Sequence, residues 1–249
     1  MITKVNWGRG LLVAAALLFL LTGCTQGGEM AEEEVPVPFQ LITLELSDSE
    51  VSFADSTSVD LEILIHQVKE PGNDSLKQAL NDYFRAEGDA LRGQIRDYMG
   101  LSWGGCEGDE VTVRWTYEVT RNDGQWLSVR RQGVVYVSDN AYPTVTLRGD
   151  NFRVVEGALQ PVLLEELFAL TPEEAQAYMV DKLEILGDGT YSRAALNNYF
   201  DFRSFYLTKD NLVLYYQEDQ LGPHALGVPE FQIPLEELSD VMKEDSLLN

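Results

Sequence analysis

Histidine, cysteine and positive charge are all scarce in this chain, and each scarcity closes off a class of function. Only His66 and His224 are available as imidazole bases, neither sits in a His-x-x-x-His or Cys-x-x-Cys arrangement, and there is no Gly-x-Ser-x-Gly elbow. A triad of nucleophile, base and orienting group therefore lacks its parts, and so does a histidine- or cysteine-rich zinc site. No Walker A pattern occurs, and Gly104-Gly105 runs into Glu107, Asp109 and Glu110, which would repel a phosphate. Carboxylates are the opposite case. With 41 Asp and Glu residues, no single one stands out for paired-carboxylate chemistry on a sugar, which needs two carboxyls at a fixed separation across a groove. The expectation is a protein without catalytic residues, cofactor or metal.

The 41 acidic residues face only 18 basic ones, a formal charge of −23. Nucleic acid and anionic lipid headgroups reward basic patches, so neither is an expected partner. A cationic protein would be drawn to such a chain. The same acidity also serves to keep a surface domain soluble and clear of anionic polymers.

Long apolar runs are also missing, with one exception. Lys4 and Arg9 form a basic start, Leu11 to Leu21 is almost continuously apolar, and Leu21-Thr22-Gly23-Cys24 is followed by polar Thr25-Gln26. That is the layout of a secretory signal, too short and wrongly flanked for a stable membrane span. Small residues ahead of a cysteine resemble a bacterial lipobox, which makes residues 1–23 a lipoprotein signal peptide and Cys24 the acylated first residue of the mature chain. An ordinary signal peptide with a cysteine at its cleavage site is the competing reading. Acyl chains contribute about 0.8 kcal/mol per buried methylene, so two or more of them hold a domain on a membrane durably. The expected location is extracytoplasmic, on a cell-membrane lipid anchor. Without residues 1–23, which carry two basic and no acidic residues, 16 basic residues face 41 acidic ones and the charge becomes −25. Cys106 is then the one remaining thiol. It cannot staple the fold, and its acidic neighbours disfavour a thiolate.

Residues 24–34 are Gly-rich and then acidic, which reads as a flexible tether. Order is expected from Val35 onward, as an α+β fold of antiparallel sheets with packed helices in two closely packed subdomains, 35–140 and 141–249. Alternation of apolar and polar residues predicts strands over Val35–Leu46 and Val59–His66, the first an edge because of Pro36 and Pro38. Leu76, Leu80, Tyr83, Phe84, Leu91, Ile95 and Met99 form a helical stripe that follows a cap at Pro71-Gly-Asn-Asp74 and is locally weakened by Gly88. A long hairpin is predicted from Glu110–Thr120 and Gln125–Ser138 about the turn Arg121-Asn-Asp-Gly124. Its Trp115, Tyr117 and Trp126 read more readily as cross-strand aromatics than as ligand-stacking groups. Two short strands follow at Val145–Arg148 and Phe152–Val155. Helices come next over Val162–Phe168, from Thr171-Pro172 towards Leu186, and over Ser192–Phe200. Strands then return at Phe205–Thr208, Leu212–Gln217 and Phe231–Ile233, ahead of a closing helix near Pro234.

The C-terminal run supports a finer comparison. Phe205 to Leu207, the turn Asp210-Asn211, Leu212 to Tyr216, the loop Pro223 to Gly227, Phe231 to Ile233, and Pro234 to Leu238 follow one another in a distinctive order. Upstream, Asn151-Phe152 and Gly157-Ala-Leu-Gln-Pro-Val-Leu-Leu-Glu-Glu-Leu-Phe168 lead into the first helix of this region. Over about Tyr142–Leu238 the chain resembles the extracellular domain of RsiV-type anti-sigma factors, a domain also found beside polysaccharide deacetylase modules. Two departures stand out: Ala141-Tyr-Pro143 lacks the histidine that family members often carry before the proline, and His224 stands where they have tyrosine.

The resemblance implies recognition rather than chemistry, because RsiV-type domains bind lysozyme outside the cell. Here it marks Gly222, Pro223, His224 and Gly227 as a candidate partner-binding loop, with Pro223 restricting φ and the two glycines supplying conformations closed to other residues. The expected function is a non-catalytic, lipid-anchored binding or sensing domain for a basic lysozyme-like enzyme or another cell-wall component. A carboxylate-dependent wall hydrolase and a structural accessory lipoprotein of an envelope complex are the alternatives. A deep cleft with facing carboxylates would mark the first of these, and an exposed apolar patch the second.

Overall fold

In the computed structural model the chain divides between Val35 and Pro36, and the residues described, 37–51, 57–72, 74–99, 110–138, 141–244 and 246, belong to the second unit. The lipobox with Cys24, the tether 24–34 and Cys106 lie outside them.

Six strands make one sheet in the order of the sequence: β1 (Leu41–Val51), β2 (Ser58–Val68), β3 (Glu110–Asn122), β4 (Trp126–Val137), β5 (Thr144–Val155) and β6 (Ala158–Pro161). β1 is an edge strand, as the prolines ahead of it predict, and it continues past Leu46 through the polar residues 47–51. On β2 the alternation puts Val59, Leu61, Ile63 and Ile65 in the core. These residues pack under α1 (Ser75–Gly93). That helix begins where the Asp74 carboxylate accepts the N–H groups of Leu76 (3.0 Å) and Lys77 (3.1 Å), two donors that a helix start otherwise leaves unpaired. Its stripe of Leu80, Phe84, Gly88 and Leu91 is buried. A Cβ at Gly88 would stand 2.7 Å from Leu46 Cδ1, so the glycine that weakens the isolated helix lets it lie close on β1 and β2.

One pairing departs from the expected antiparallel sheets. β3 runs parallel to β2, from Ser58↔Glu110 to Ile63↔Trp115, and the chain returns by way of α1 and α2 (Ile95–Met99). Parallel neighbours need a long crossover, and this helical segment supplies it. The hairpin β3–β4 forms as the alternation predicts, although β3 extends through Asn122 and a bulge lies between Val119 and Arg121. Asp123 Oδ1 closes the turn on the N–H groups of Gln125 (3.0 Å) and Trp126 (2.7 Å). The two short strands expected beyond it are a single strand, β5, paired with β4 from Trp126↔Arg153 to Val135↔Thr144. The expected boundary between residues 140 and 141 therefore falls between two paired strands of one sheet.

The C-terminal part packs α3 (Leu164–Leu167), α4 (Pro172–Leu186) and α5 (Arg193–Asn198) on a three-stranded antiparallel sheet of β7 (Phe205–Leu207), β8 (Asn211–Tyr215) and β9 (Glu230–Pro234). Thr171 and Glu174 form a reciprocal capping box at the start of α4, with Pro172 at its first position. The helix expected from Pro234 is only a 3-10 turn, Leu235–Leu238. No helix among the described residues is long and apolar enough to cross a membrane.

The two sheets meet through β4, β5 and β7. Ser128 Oγ donates to Asn151 Oδ1 (2.7 Å) and accepts the N–H of Leu207 (2.8 Å), while Asn151 Nδ2 donates to the Phe205 carbonyl (2.9 Å). Both side chains are buried, so these bonds satisfy polar groups that would otherwise be costly to hide.

Nearby, Arg130 grips Glu230 through Nε (3.0 Å) and a terminal nitrogen (2.7 Å), and the Tyr206 hydroxyl donates to the same carboxylate (2.6 Å). Burial works to raise the Glu230 pKa, but the bonds from Arg130 and Tyr206 outweigh it and hold the group below its ordinary 4.5. A carboxyl depressed in the folded state contributes stability that is fully present above its unfolded pKa and is lost as pH falls through the folded one. The stability advantage of the native chain over Glu230→Gln should therefore be level above about pH 5 and shrink as the solution is acidified below it. Denaturant midpoints of the two chains across that range measure it, and a constant difference would contradict the assignment.

Candidate functional site

The outer edge of β5 determines what lies beside the 222–227 loop. Beyond its short pairing with β6, this edge has no neighbouring strand among the described residues, and side chains at and just past the end of β8 take that place. Val145 N–H donates to Glu218 Oε2 (2.7 Å), Gly149 N–H to the Tyr215 hydroxyl (2.9 Å), and Gln217 makes a reciprocal pair with the N–H (3.0 Å) and C=O (2.7 Å) of Leu147. An edge that would otherwise invite another strand is thereby occupied. The same clamp carries residues 217–219 up to the segment 141–146 and opens a shallow groove of about 520 Å³ against His224.

The loop itself is fixed by its own backbone. Pro223 enters it at φ −66°, Leu226 N–H bonds to the Pro223 carbonyl (2.9 Å), and Gly227 N–H bonds to the His224 carbonyl (2.9 Å), making a 3-10 turn over His224–Leu226. Gly227 leaves the turn at φ 65°, a conformation that other residues adopt rarely. Gly222 differs from the expectation: its φ is not in the left-handed region, and the nearest atom to a Cβ there, Leu226 Cδ1 at 2.8 Å, is the end of an exposed side chain that can turn aside.

The structure gathers the four expected loop residues into one turn and places His224 at the groove. Its Nε2 lies 3.1 Å from the Pro143 carbonyl, and its Nδ1 is 3.6 Å from both Glu218 Oε2 and Asp219 Oδ2. The Tyr142 ring tilts beside the imidazole at 6.2 Å between centroids and is 66% exposed. Leu226, on the same turn, is 51% exposed. Sequence reasoning missed Tyr142, Glu218 and Asp219 as site residues. Tyr142 is some eighty positions from the loop, and only the β5 clamp brings it near; the noted difference at Ala141-Tyr-Pro143 was the available signal.

The other candidates are structural. His66 Nε2 donates to the Tyr117 carbonyl (2.9 Å), its ring stands edge-on to Phe84, and burial lowers its pKa. Trp115, Tyr117 and Trp126 are buried, and the guanidinium groups of Arg121 (5.8 Å) and Arg153 (5.6 Å) lie over the Trp126 ring. Among the described residues no group of three or more His, Cys, Asp or Glu is placed to hold a metal ion.

Residues 157–236 match a family model described as "Protein of unknown function (DUF3298)". The match takes in the 222–227 loop and stops short of Tyr142. No curated protein matches the chain. A crystal structure of a DUF3298 family member from Bacteroides fragilis superposes with a TM-score of 0.62 at 16% identity, covering 85% of this chain and 96% of that one. Another from Pseudomonas aeruginosa PAO1 gives 0.53 at 15% identity, covering 84% and 98%. At such identities the likeness is one of fold. Residues 157–236 are thus a DUF3298 domain, in a chain whose fold resembles that of solved members of the DUF3298 family.

Proposed function

We propose that this chain is a lipid-anchored, extracytoplasmic recognition domain of the RsiV type, which binds a basic lysozyme-like enzyme or another wall component and performs no chemistry on it. The observation that carries the reading is the groove. The 3-10 turn brings His224 to its wall, Tyr142 stands beside the imidazole with most of its ring in solvent, and Leu226 is exposed on the same turn. Exposed aromatic and apolar side chains on a fixed backbone provide contact area at little entropic cost, as recognition surfaces require. Tethering through Cys24 would hold this surface at the membrane, and the acidic charge would speed the approach of a basic partner.

The test is binding of the unit 36–249 to a basic lysozyme across a salt series, with an acidic protein of similar size as control. Specific recognition should persist at about 0.15 M salt, where screening acts over about 8 Å, and weaken in a Pro223→Ala, His224→Ala variant. Binding no stronger than the control's would sink the lysozyme reading and leave wall fragments as the partner to assay.

A further inference from the structure

We infer that the groove beside His224 takes the cationic tip of a partner side chain, an arginine guanidinium by preference. The inference rests on reading this groove as a recognition site and adds the chemistry that it selects. A carbonyl carries no proton, so the bond from His224 Nε2 to the Pro143 oxygen (3.1 Å) places a hydrogen on Nε2. In the neutral ring Nδ1 is then a bare lone pair, and it faces Glu218 Oε2 and Asp219 Oδ2, each 3.6 Å away. With the ring neutral, three acceptors converge with no donor between them.

Glu218 deepens the imbalance. Its side chain is only 8% exposed, yet the one backbone donor it receives, Val145 N–H, lies on Oε2; among the described residues no donor meets Oε1. Oε1 is therefore free to accept from a donor that enters the groove, which Glu218 lines. No lysine or arginine among the described residues forms an ion pair with Glu218 or Asp219. Asp219, two-thirds exposed and held at φ 64°, brings a second carboxylate to the rim. Tyr142 completes the arrangement, because a largely exposed ring beside two carboxylates is a surface over which a planar cation can lie. A guanidinium offers five N–H donors in a flat fork and matches an acceptor-only groove with an aromatic wall better than a compact ammonium does.

The probe is N-acetylarginine amide, whose only charge is its side chain, set against the neutral isostere N-acetylcitrulline amide. Both are titrated by saturation-transfer NMR into the full chain in detergent. The arginine probe should bind about tenfold more tightly than the citrulline probe, and Tyr142→Ala combined with Asp219→Asn should remove about tenfold of that affinity. Both substitutions are at exposed positions, and asparagine tolerates the backbone conformation at 219, so circular dichroism should not change. Equal affinity for the two probes, or arginine binding that the double variant leaves intact, would overturn the inference. A chain that takes the arginine probe but retains no basic protein keeps the inference and removes the protein-recognition reading. One that retains lysozyme undiminished in the double variant does the reverse.

Discussion

Replacing Gly149 by alanine is expected to lower the melting temperature by about 10 °C, corresponding to a loss of about 3 kcal/mol in a unit of this size. A Cβ at this position would stand 1.8 Å from the Phe205 carbonyl oxygen and 2.7 Å from its carbon. Both are backbone atoms, so no rotamer change relieves the overlap, and β5 and β7 must separate. That same oxygen accepts the hydrogen bond of Asn151, which in turn is bonded to Ser128, so the movement leaves buried polar groups unpaired. Gly88→Ala is the comparison that isolates the cause. The obstruction there is a methyl at the end of the Leu46 side chain, which can turn aside, and the cost should stay near 1 kcal/mol or below. Thermal unfolding of both variants decides the matter; if G149A melts within about 2 °C of the native chain, the sheets are not locked at this contact.

Arg131→Gln is expected to cost about 3–5 kcal/mol. The Arg131 side chain is 6% exposed, and its guanidinium is held by Glu87 of α1 and Asp150 of β5 and lies 5.6 Å from the Tyr117 ring. Burial works against the charge, but Asp150, Tyr83 and Tyr117 together outweigh it and raise the pKa. Tyr83 belongs to the same cluster, its hydroxyl pKa pushed far up by burial and by Asp150. Removing the cation leaves two carboxylates crowded together at the core margin, and breaking one side of such a cluster costs more than never having had it. Arg131→Met with Glu87→Gln and Asp150→Asn should therefore recover most of the stability lost by Arg131→Gln. Urea midpoints of the three chains test the claim. A triple variant no more stable than the single one would assign the loss to packing and not to unpaired charge.

What was legible in the sequence is what alternation and local chemistry encode. Glu110–Thr120 and Gln125–Ser138 alternate strongly around a turn, and they pair as β3 and β4. Thr171-Pro172 with Glu174 marks a helix start through bonds made within four residues, and α4 begins there. Residues 47–51 carry little apolar signal, because an edge strand buries little on either face, and so the length of β1 was hidden. The parallel pairing of β2 with β3 was hidden for another reason: nothing in either strand records the direction of its neighbour. The site divides in the same way. The 222–227 turn is written locally in Pro223 and Gly227. Its opposite wall depends on Gln217 and Glu218 bonding to the backbone of β5, a contact between chain segments about seventy residues apart, which composition and periodicity cannot report.

The route by which β2 reaches β3 also bears on how the chain acquires its structure. Strands β3 to β6 follow one another by short turns and can zip up from nearby contacts, while β1 and β2 form their own hairpin. Joining the two requires closing the loop that contains α1 and α2, and the entropy of that closure is lost before the β2–β3 bonds return anything. Within the six-stranded sheet, the docking of this N-terminal hairpin is therefore the step expected to be slowest. Substitutions in the β2–β3 seam, such as Ile63→Val, should slow refolding, whereas equivalent changes on α4 should act mainly on unfolding.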